Sequence, residues 1–345
     1  MIEAVDLFCG VGGLSYGLAR SGIEVKAGVD IDRACAYAYE TNLKAKFIRR
    51  SVKDVAGDEI SSLYSKDAIK LLAGCAPCQP FSKMAKGRRN ENDEKWSLLE
   101  EFARLVEEVK PDLVTMENVP GVRHHSPFKK FHDTLEKLGY QCDYSVVQCA
   151  EIGVPQRRSR FVLVASRLGA VKLEKIERPQ VTVRDAIGHL PAVESGHSDA
   201  NDNMHKSRKL SDINMKRIKA SRPGGSWRDW PESLRSPCHL KEKGASFGSV
   251  YARMEWDKPS PTITTQCYSF GTGRFGHPSQ DRAITLREAA LLQSFPENYR
   301  FVPPDEDPTF THVGRLIGNA VPPKLGEYVG EIFVNHVERL NQEEG

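Results

Sequence analysis

A cysteine on a proline-stiffened loop is the strongest chemical feature of this sequence. Residues 74–82 read GCAPCQPFS, and the apolar run 68–73 before them predicts a buried strand. Cys78 would therefore lie just past the carboxyl end of a strand, the edge at which open α/β sheets bind ligands. Pro77 and Pro80 each fix one φ angle, which lowers the entropic cost of holding the sulfur in place. The pattern predicts a nucleophile.

Two other interpretations of Cys75 and Cys78 are weaker. A Cys-x-x-Cys redox pair normally opens a helix, and the sequence from Gln79 onwards starts a helix poorly. A zinc site needs further ligands at a suitable spacing, which the remaining candidates do not have. Those candidates are His124, His125, Cys238 and His239. We therefore predict no metal site, and a nucleophile assisted by groups on neighbouring strand ends remains.

Such groups follow two other predicted strands. The apolar run 113–116 delivers Glu117, a carboxylate that is costly to bury without a partner. The segment QRRSR at 156–160 leads into an apolar strand, and the alternation of a strand predicts that Arg158 and Arg160 share one face. The sequence thus predicts a thiol, a carboxyl group and guanidinium groups near one sheet edge.

The amino-terminal segment predicts a cradle for a nucleotide. A strand, the glycine turn CGVGG at 9–13 and a helix follow one another within the first 20 residues. A second strand ends at Asp30, where a carboxylate can accept hydrogen bonds from ribose hydroxyls. A purely structural alternative is that Gly12 and Gly13 only allow close helix packing, and that Asp30 or Asp32 caps the next helix.

Strands and helices alternate up to about residue 168, which predicts a doubly wound, mostly parallel α/β sheet. The character of the chain then changes, and from residue 182 to 280 it is rich in Gly, Pro, Ser, Trp and basic residues, with short strand-like pieces at 247–254 and 262–265. This composition predicts a second, smaller, irregular domain. The predicted boundaries are 1–180, completed by 310–345, for the first domain and 181–309 for the second.

Composition fits a globular protein, with 39% hydrophobic and 28% charged residues and no apolar run long enough for a membrane helix. The sequence shows no secretory leader, so we expect a cytoplasmic protein whose eight cysteines are reduced. A net charge of +3 does not itself indicate a nucleic-acid partner, although basic residues are clustered. The clusters are Lys83, Lys86, Arg88 and Arg89, and Lys206, Arg208, Lys209, Lys216, Arg217, Lys219 and Arg222.

The motifs, taken in order, resemble those of the DNA cytosine-5 methyltransferases. They are DLFCGVGG at 6–13, PCQ at 77–79, ENV at 117–119, QRRSR at 156–160, RAITLREA at 282–289, QSFP at 293–296 and GNAV at 318–321. The resemblance spans nearly the whole chain. It implies a Rossmann-like catalytic domain that uses S-adenosylmethionine, and a target-recognition domain within 181–309.

The resemblance also implies roles for the predicted site residues. Cys78 would add to carbon 6 of a flipped-out cytosine, helped by Arg158, while Glu117 holds ring nitrogen 3 and Arg160 the carbonyl oxygen at position 2. Residues implied to surround S-adenosylmethionine are Phe8, Gly10, Gly12, Gly13, Leu14, Asp30, Ile31, Val52, Pro77, Leu98, Asn319 and Val321. Those implied to contact duplex DNA are Gln79, Ser82, Lys83, Lys86, Arg88 and Arg89.

Two positions depart from the resemblance. Many relatives have an acidic residue where Ser51 falls, and many have glycine where Cys75 falls, so the Cys-x-x-Cys spacing is interpreted as incidental. The enzyme is expected to act as a monomer, either alone or beside a restriction endonuclease. Alternatives are a transfer-RNA methyltransferase of the same superfamily, a non-catalytic DNA-binding relative and, less well supported, a nicotinamide oxidoreductase.

Overall fold

The structure, a computed structural model, describes residues 1–77, 97–176, 178–241 and 248–343. The contacts divide the chain into two compact units. The sheet unit comprises Met1–Ile152, Ser159–Arg178 and Val321–Gly345, and the irregular unit comprises Gly153–Arg158 and Pro179–Ala320. It stays a prediction that residues 1–180 with 310–345 carry catalysis and cofactor binding and that residues 181–309 recognise the target.

The sheet unit is built on seven strands, whose spatial order is β3-β2-β1-β4-β5-β7-β6. They are β1 Ile2–Leu7, β2 Glu24–Asp30, β3 Lys46–Arg49, β4 Ile69–Gly74, β5 Leu113–Asn118, β6 Gln141–Gln148 and β7 Ser159–Ser166. Neighbours among the first five strands are parallel, and β7 runs antiparallel to both β5 and β6. The prediction of a mostly parallel, doubly wound α/β fold is confirmed.

The strand register explains why chemistry can collect at one edge of this sheet. All residues of β1 and β5 are buried, as expected for strands covered on both faces. Leu7 pairs with Gly74, and Gly74 pairs with Met116, so β1, β4 and β5 end side by side. The strand order also reverses between β1 and β4, which makes this edge the switch point of the sheet.

The described helices, in chain order, are α1 Gly13–Arg20, α2 Ala36–Leu43, α3 Gly57–Ser61, α4 Ser97–Val109, α5 Ser126–Lys137, α6 Val183–Ile187, α7 Asp212–Lys219, α8 Leu286–Leu292, α9 Phe310–Asn319 and α10 Pro323–Glu343. Within the sheet unit α1 packs closely on α10. A Cβ placed on Gly17 would lie 2.1 Å from the carbonyl oxygen of Pro323, so only glycine fits there.

The irregular unit has little regular structure. The pieces predicted as strands at 247–254 and 262–265 are not strands in the part that is described, and isolated bridges join Arg253 to Pro223 and to Gly276 instead. The prediction of strands was wrong. Immediately before the second piece, Pro259 and Pro261 lack the N–H that a ladder needs. An apolar cluster around Trp227 and Trp230 forms a local core.

A buried polar cluster adds to the irregular unit. Arg282, which is 0% exposed, donates two hydrogen bonds of 2.7 Å to the carboxylate of Glu288, which is 1% exposed. His277 lies beside them, with Nε2 3.6 Å from a Glu288 oxygen. Its Nδ1 accepts from the backbone N–H groups of Ser279 and Gln280. The imidazole is therefore held with Nδ1 as an acceptor.

Candidate active site

The glycine turn after β1 has a backbone shape that the sequence around it must tolerate. Phe8 has a φ of 58°, a left-handed conformation that is unfavourable for a bulky side chain, and Gly10 has a φ of 52°. A Cβ on Gly10 would meet no atom of the described residues within 4 Å, so the turn is open at this point toward the described part of the chain. Backbone strain of this kind is typical of functional sites.

Asp30 ties the end of β2 to this turn. Its Oδ2 accepts a 2.9 Å hydrogen bond from the Gly10 N–H, and its Oδ1 accepts one of 2.8 Å from Asp32. Burial raises the pKa of Asp30, and these N–H groups partly offset the effect. Asp32 caps a short 3-10 helix by accepting from Ala34, so the capping alternative holds for Asp32. Asp30 instead braces the turn.

The predicted cofactor residues differ in exposure. Gly12, Gly13, Leu14, Val52 and Val321 are buried, Phe8, Gly10, Asp30, Pro77 and Leu98 are half-buried, and Ile31 and Asn319 are exposed. All of them except Asn319 belong to the sheet unit. Ile31 directly follows Asp30 and is 71% exposed, which is unusual for an isoleucine. The open turn, the braced carboxylate and this apolar side chain fit a nucleoside.

The second part of the candidate site lies where β4 and β5 end. Glu117 and Asn118 pair with Val162 and Phe161 of β7, so β5 extends two residues beyond the predicted strand 113–116. The Asn118 amide donates a 3.1 Å hydrogen bond to the carbonyl oxygen of Ala76, and its Oδ1 accepts from the backbone N–H of Val119. Asn118 therefore holds the chain that leads to Pro77.

Asn118 is a candidate site residue that sequence reasoning missed. The available signal was an amide directly after a carboxylate at a strand end. The predicted nucleophile Cys78 lies outside the described residues, as do the predicted DNA contacts Gln79, Ser82, Lys83, Lys86, Arg88 and Arg89. What the structure describes is the frame that precedes them, up to Pro77.

Glu117 is the centre of the described site. It is 4% exposed, and its Oε1 lies 2.7 Å from Nε of Arg160. The Nε–H bond is not aligned with that oxygen, so Oε1 accepts no well-formed hydrogen bond from the described residues. The thiol of Cys75 donates to Oε2 over a distance of 2.7 Å. The structure thus brings Glu117 and Arg160 together, as predicted, and adds Cys75.

Arg158 does not share a strand face with Arg160, and this prediction was wrong. The strand β7 begins at Ser159, and Arg158 belongs to the irregular unit. There its guanidinium donates a 3.2 Å hydrogen bond to the carbonyl oxygen of Ile263. Gln156 accepts from the Ile263 N–H at 2.9 Å and fixes the same segment. The pairing of β6 with β7 likewise reaches no further than Gln148 and Ser159.

The basic cluster of the irregular unit divides into internal and exposed side chains. Arg217 donates to the carbonyl oxygen of Leu234 and lies over the rings of Trp230 and Tyr251, so it supports the local core. Lys206 is only 12% exposed and pairs with Asp307. The exposed cations are Arg208, Lys209, Lys216, Lys219 and Arg222. Of the large aromatic residues in this unit, Trp227, Trp230 and Tyr268 are buried and Trp256 is half-buried.

In the part of the chain that is described, the longest helices are too polar or too short to cross a lipid bilayer.

Comparisons with known proteins give the family. A family model described as "C-5 cytosine-specific DNA methylase" matches residues 2–335. The chain is 50% identical, over 99% of its length and 98% of the relative's, to the Type II methylase M.HgiDII of Herpetosiphon aurantiacus.

More distant relatives agree. The Type II methyltransferase M1.HphI of Haemophilus parahaemolyticus is 31% identical over 95% of this chain and 85% of its own length. Among solved structures, the Dnmt2 methyltransferase of S. pombe has a TM-score of 0.67 at 17% identity, covering 99% of this chain and all of that one, and supports the fold alone. Because the family model and a relative of 50% identity both span nearly the whole chain, the chain belongs to the C-5 cytosine-specific DNA methylases and is a DNA (cytosine-5-)-methyltransferase.

Proposed function

We propose that this enzyme methylates carbon 5 of a cytosine flipped out of a specific duplex DNA site, with Cys78 as the nucleophile and S-adenosylmethionine as the methyl donor. The observation that carries the proposal is the cluster of Cys75, Glu117 and Arg160 at the ends of β4, β5 and β7. This cluster lies at the sheet edge, three residues before Cys78 in the case of Cys75. A base inside a duplex cannot reach such an edge, so the cytosine leaves the stack.

The chemistry divides among three side chains. The Cys78 thiolate forms a bond to ring carbon 6, while Glu117 donates a proton to ring nitrogen 3, and the ring becomes an enamine. Arg160 holds the carbonyl oxygen at position 2, where negative charge grows. Carbon 5 then takes the methyl group. Loss of its hydrogen to a base breaks the C–S bond and frees the thiolate, and ring nitrogen 3 returns its proton to Glu117. Glu117 already lies 2.7 Å from Arg160 in the described structure, which supports joint recognition of one ring edge.

The donor site is proposed at the glycine turn. When bound, S-adenosylmethionine supplies an electrophilic methyl group. Asp30 would accept from the ribose hydroxyls, and Ile31 and Val52 would lie against adenine, while Phe8 and Gly10 would border the amino-acid end. The open space at Gly10 and the exposed Ile31 support this assignment. The roles of Arg158 and Asn319 stay predictions from the sequence.

Trapping tests the nucleophile. Duplex DNA that carries 5-fluorocytosine should form a stable covalent complex with the wild-type enzyme, because fluorine blocks the final elimination. The Cys78→Ala variant should trap no DNA and lose methyl transfer while it still binds S-adenosylmethionine. Cys142→Ala, which removes a half-buried thiol on β6, is the matched control. Full activity of Cys78→Ala would contradict the mechanism, and methyl transfer to transfer RNA but not to DNA would contradict the substrate.

We propose that the irregular unit recognises the target sequence and that the residues of α7 contact DNA phosphates. Lys216 and Lys219 are exposed on this helix, and the names of relatives as Type II enzymes suggest a modification role beside a restriction endonuclease. Base-resolution mapping of methylcytosine in DNA from cells that express this protein identifies the site. Such a protein would act in the cytoplasm, as a monomer on its DNA.

Removing both lysines tests the phosphate contacts. The double variant Lys216→Gln, Lys219→Gln should weaken binding to cognate and non-cognate duplexes alike, and it should lower the slope of log K against log salt by about 2. The control, Lys66→Gln with Lys137→Gln, removes two exposed lysines of the sheet unit. An unchanged salt slope in the α7 variant would exclude these two contacts.

A further inference from the structure

The thiol of Cys75 occupies one of the two oxygens of Glu117. Cys75 follows β4 directly, and Gly74 pairs with Met116 of β5, so the register brings residues 75 and 117 side by side. Sγ lies 2.7 Å from Oε2, and the contact joins residues that are 42 positions apart in the chain. This hydrogen bond strengthens as Glu117 gives up its proton, because a bond to an ionised acceptor is charge-assisted and stronger than a neutral one.

The other oxygen has a different environment. Oε1 faces Nε of Arg160 without an aligned hydrogen bond from the described residues. The two oxygens of Glu117 are therefore not equivalent, because Oε2 accepts from a thiol whereas Oε1 keeps its lone pairs for another partner. The terminal torsion of a glutamate is broad, so a donor that holds one oxygen fixes the carboxyl plane and with it the direction in which the other oxygen points.

We propose that Cys75 is a positioning residue whose thiol fixes the Glu117 carboxyl group, so that Oε1 carries the proton given to the cytosine ring. The inference rests on the proposed function of Glu117, and it adds the group that orients it. In the transfer the O–H bond at Oε1 breaks and an N–H bond forms at ring nitrogen 3, while the thiol keeps its own proton and its bond to Oε2. Glycine at position 75 would leave Oε2 without this donor.

Three substitutions separate positioning from packing. Cys75→Ala removes the donor, Cys75→Ser keeps a donor on a shorter bond, and Cys142→Ala is the control thiol. With saturating S-adenosylmethionine, Cys75→Ala should lower kcat about tenfold, the size expected for one hydrogen bond to a charged group, and leave KM for DNA within about twofold. Cys75→Ser should recover most of kcat. Equal losses in Cys75→Ala and Cys75→Ser, or a loss confined to KM, would overturn the proposal.

A vibrational measurement tests the contact without reference to activity. The infrared S–H stretching band assigned to Cys75, from the difference between wild type and Cys75→Ala, should shift in Glu117→Gln, because an amide and a carboxyl group differ in strength as hydrogen-bond acceptors. A band that does not move would overturn the proposal even if Cys78 is the nucleophile. A band that appears only after a reducing agent is added would also overturn it, since Cys75 would then be oxidised. If trapping by Cys78 fails while the band moves, the proposed function fails and the contact stands.

Discussion

The carboxyl group of Asp6 lies inside the sheet unit at 1% exposure, in the strand that leads to the glycine turn. Its Oδ2 accepts a 2.6 Å hydrogen bond from Ser15, whose hydroxyl also lies 3.0 Å from the hydroxyl of Tyr39. Burial raises the pKa of Asp6 to about 7, and the Ser15 hydrogen bond only partly offsets it. The alternation of β1 does not reveal this burial, because a strand covered on both faces has no solvent side.

Neutralising Asp6 should stabilise the protein at high pH. The native state keeps its proton up to about pH 7, whereas the unfolded chain loses it near 3.8, so the free energy of unfolding falls as pH rises between these values. Asp6→Asn should remove this fall. The loss of unfolding free energy between pH 4 and pH 8 should therefore be smaller in Asp6→Asn than in the wild type, by an amount on the order of a few kcal/mol. Denaturant unfolding at both pH values measures it. The exposed Asp67→Asn is the control, and a wild-type-like pH dependence in Asp6→Asn would contradict the assignment.

At the scale of elements, the sequence predicts a helix after the glycine turn, which is α1, but not that α1 packs on α10. Hydrophobic periodicity indicates which face of a helix is buried, and it carries no information on a partner 300 residues away. The glycines that permit the contact, Gly17, Gly326 and Gly330, have no periodic signal of their own. For the same reason Cys75 was interpreted as incidental, although the pairing of β4 with β5 places its thiol on Glu117.

A methyl group at this helix crossing should be costly. In Gly17→Ala the new Cβ would lie 2.1 Å from a carbonyl oxygen and 2.4 Å from the backbone nitrogen of Glu327, which cannot move aside as a side chain would. We expect a loss of about 1–3 kcal/mol in the free energy of unfolding, the usual cost of overpacking. Urea denaturation measures it. Glu338→Ala, on the exposed side of α10, should change stability little, and equal effects of both variants would argue against the close crossing.

For the molecule as a whole, the sequence predicts the mostly parallel sheet and the placement of Glu117 and Arg160 near one edge of it. It could not predict that Arg158 belongs to the irregular unit, because its partner Ile263 is 105 residues away and the contact depends on side-chain packing. Nor could it predict the buried cluster of Arg282, Glu288 and His277. Charged residues normally indicate surface, and only their mutual pairing allows burial.

That cluster should set the acid limit of the irregular unit. Burial lowers the pKa of His277 to about 4. Burial on its own would raise the pKa of Glu288, but the hydrogen bonds from Arg282 outweigh this effect and lower that pKa to about 2. On acidification the unfolded chain therefore binds protons that the native state does not bind, and the free energy of unfolding falls. His277 accounts for the range between about pH 6.5 and 4, and Glu288 for the range between about pH 4.5 and 2. His277→Asn, whose Oδ1 can replace Nδ1 as an acceptor, should flatten only the upper range.

Tryptophan fluorescence follows this transition, because three of the four tryptophans, Trp227, Trp230 and Trp256, belong to the irregular unit. Unfolding curves at pH 6.5 and 4.5 give the difference in stability. The exposed His197→Asn serves as the control and should keep the wild-type dependence. A His277→Asn variant that loses as much stability as the wild type between these pH values would show that another group is responsible.

The hydrogen bonds of Asn118 also limit how this enzyme can evolve. The side chain satisfies a carbonyl on one side and a backbone N–H on the other, so a replacement must offer a donor and an acceptor at the same reach. Aspartate lacks the donor, serine is too short and glutamine is one methylene too long. Drift at position 118 should therefore be purged by selection as strictly as change in a reacting group, although no chemistry takes place on this amide.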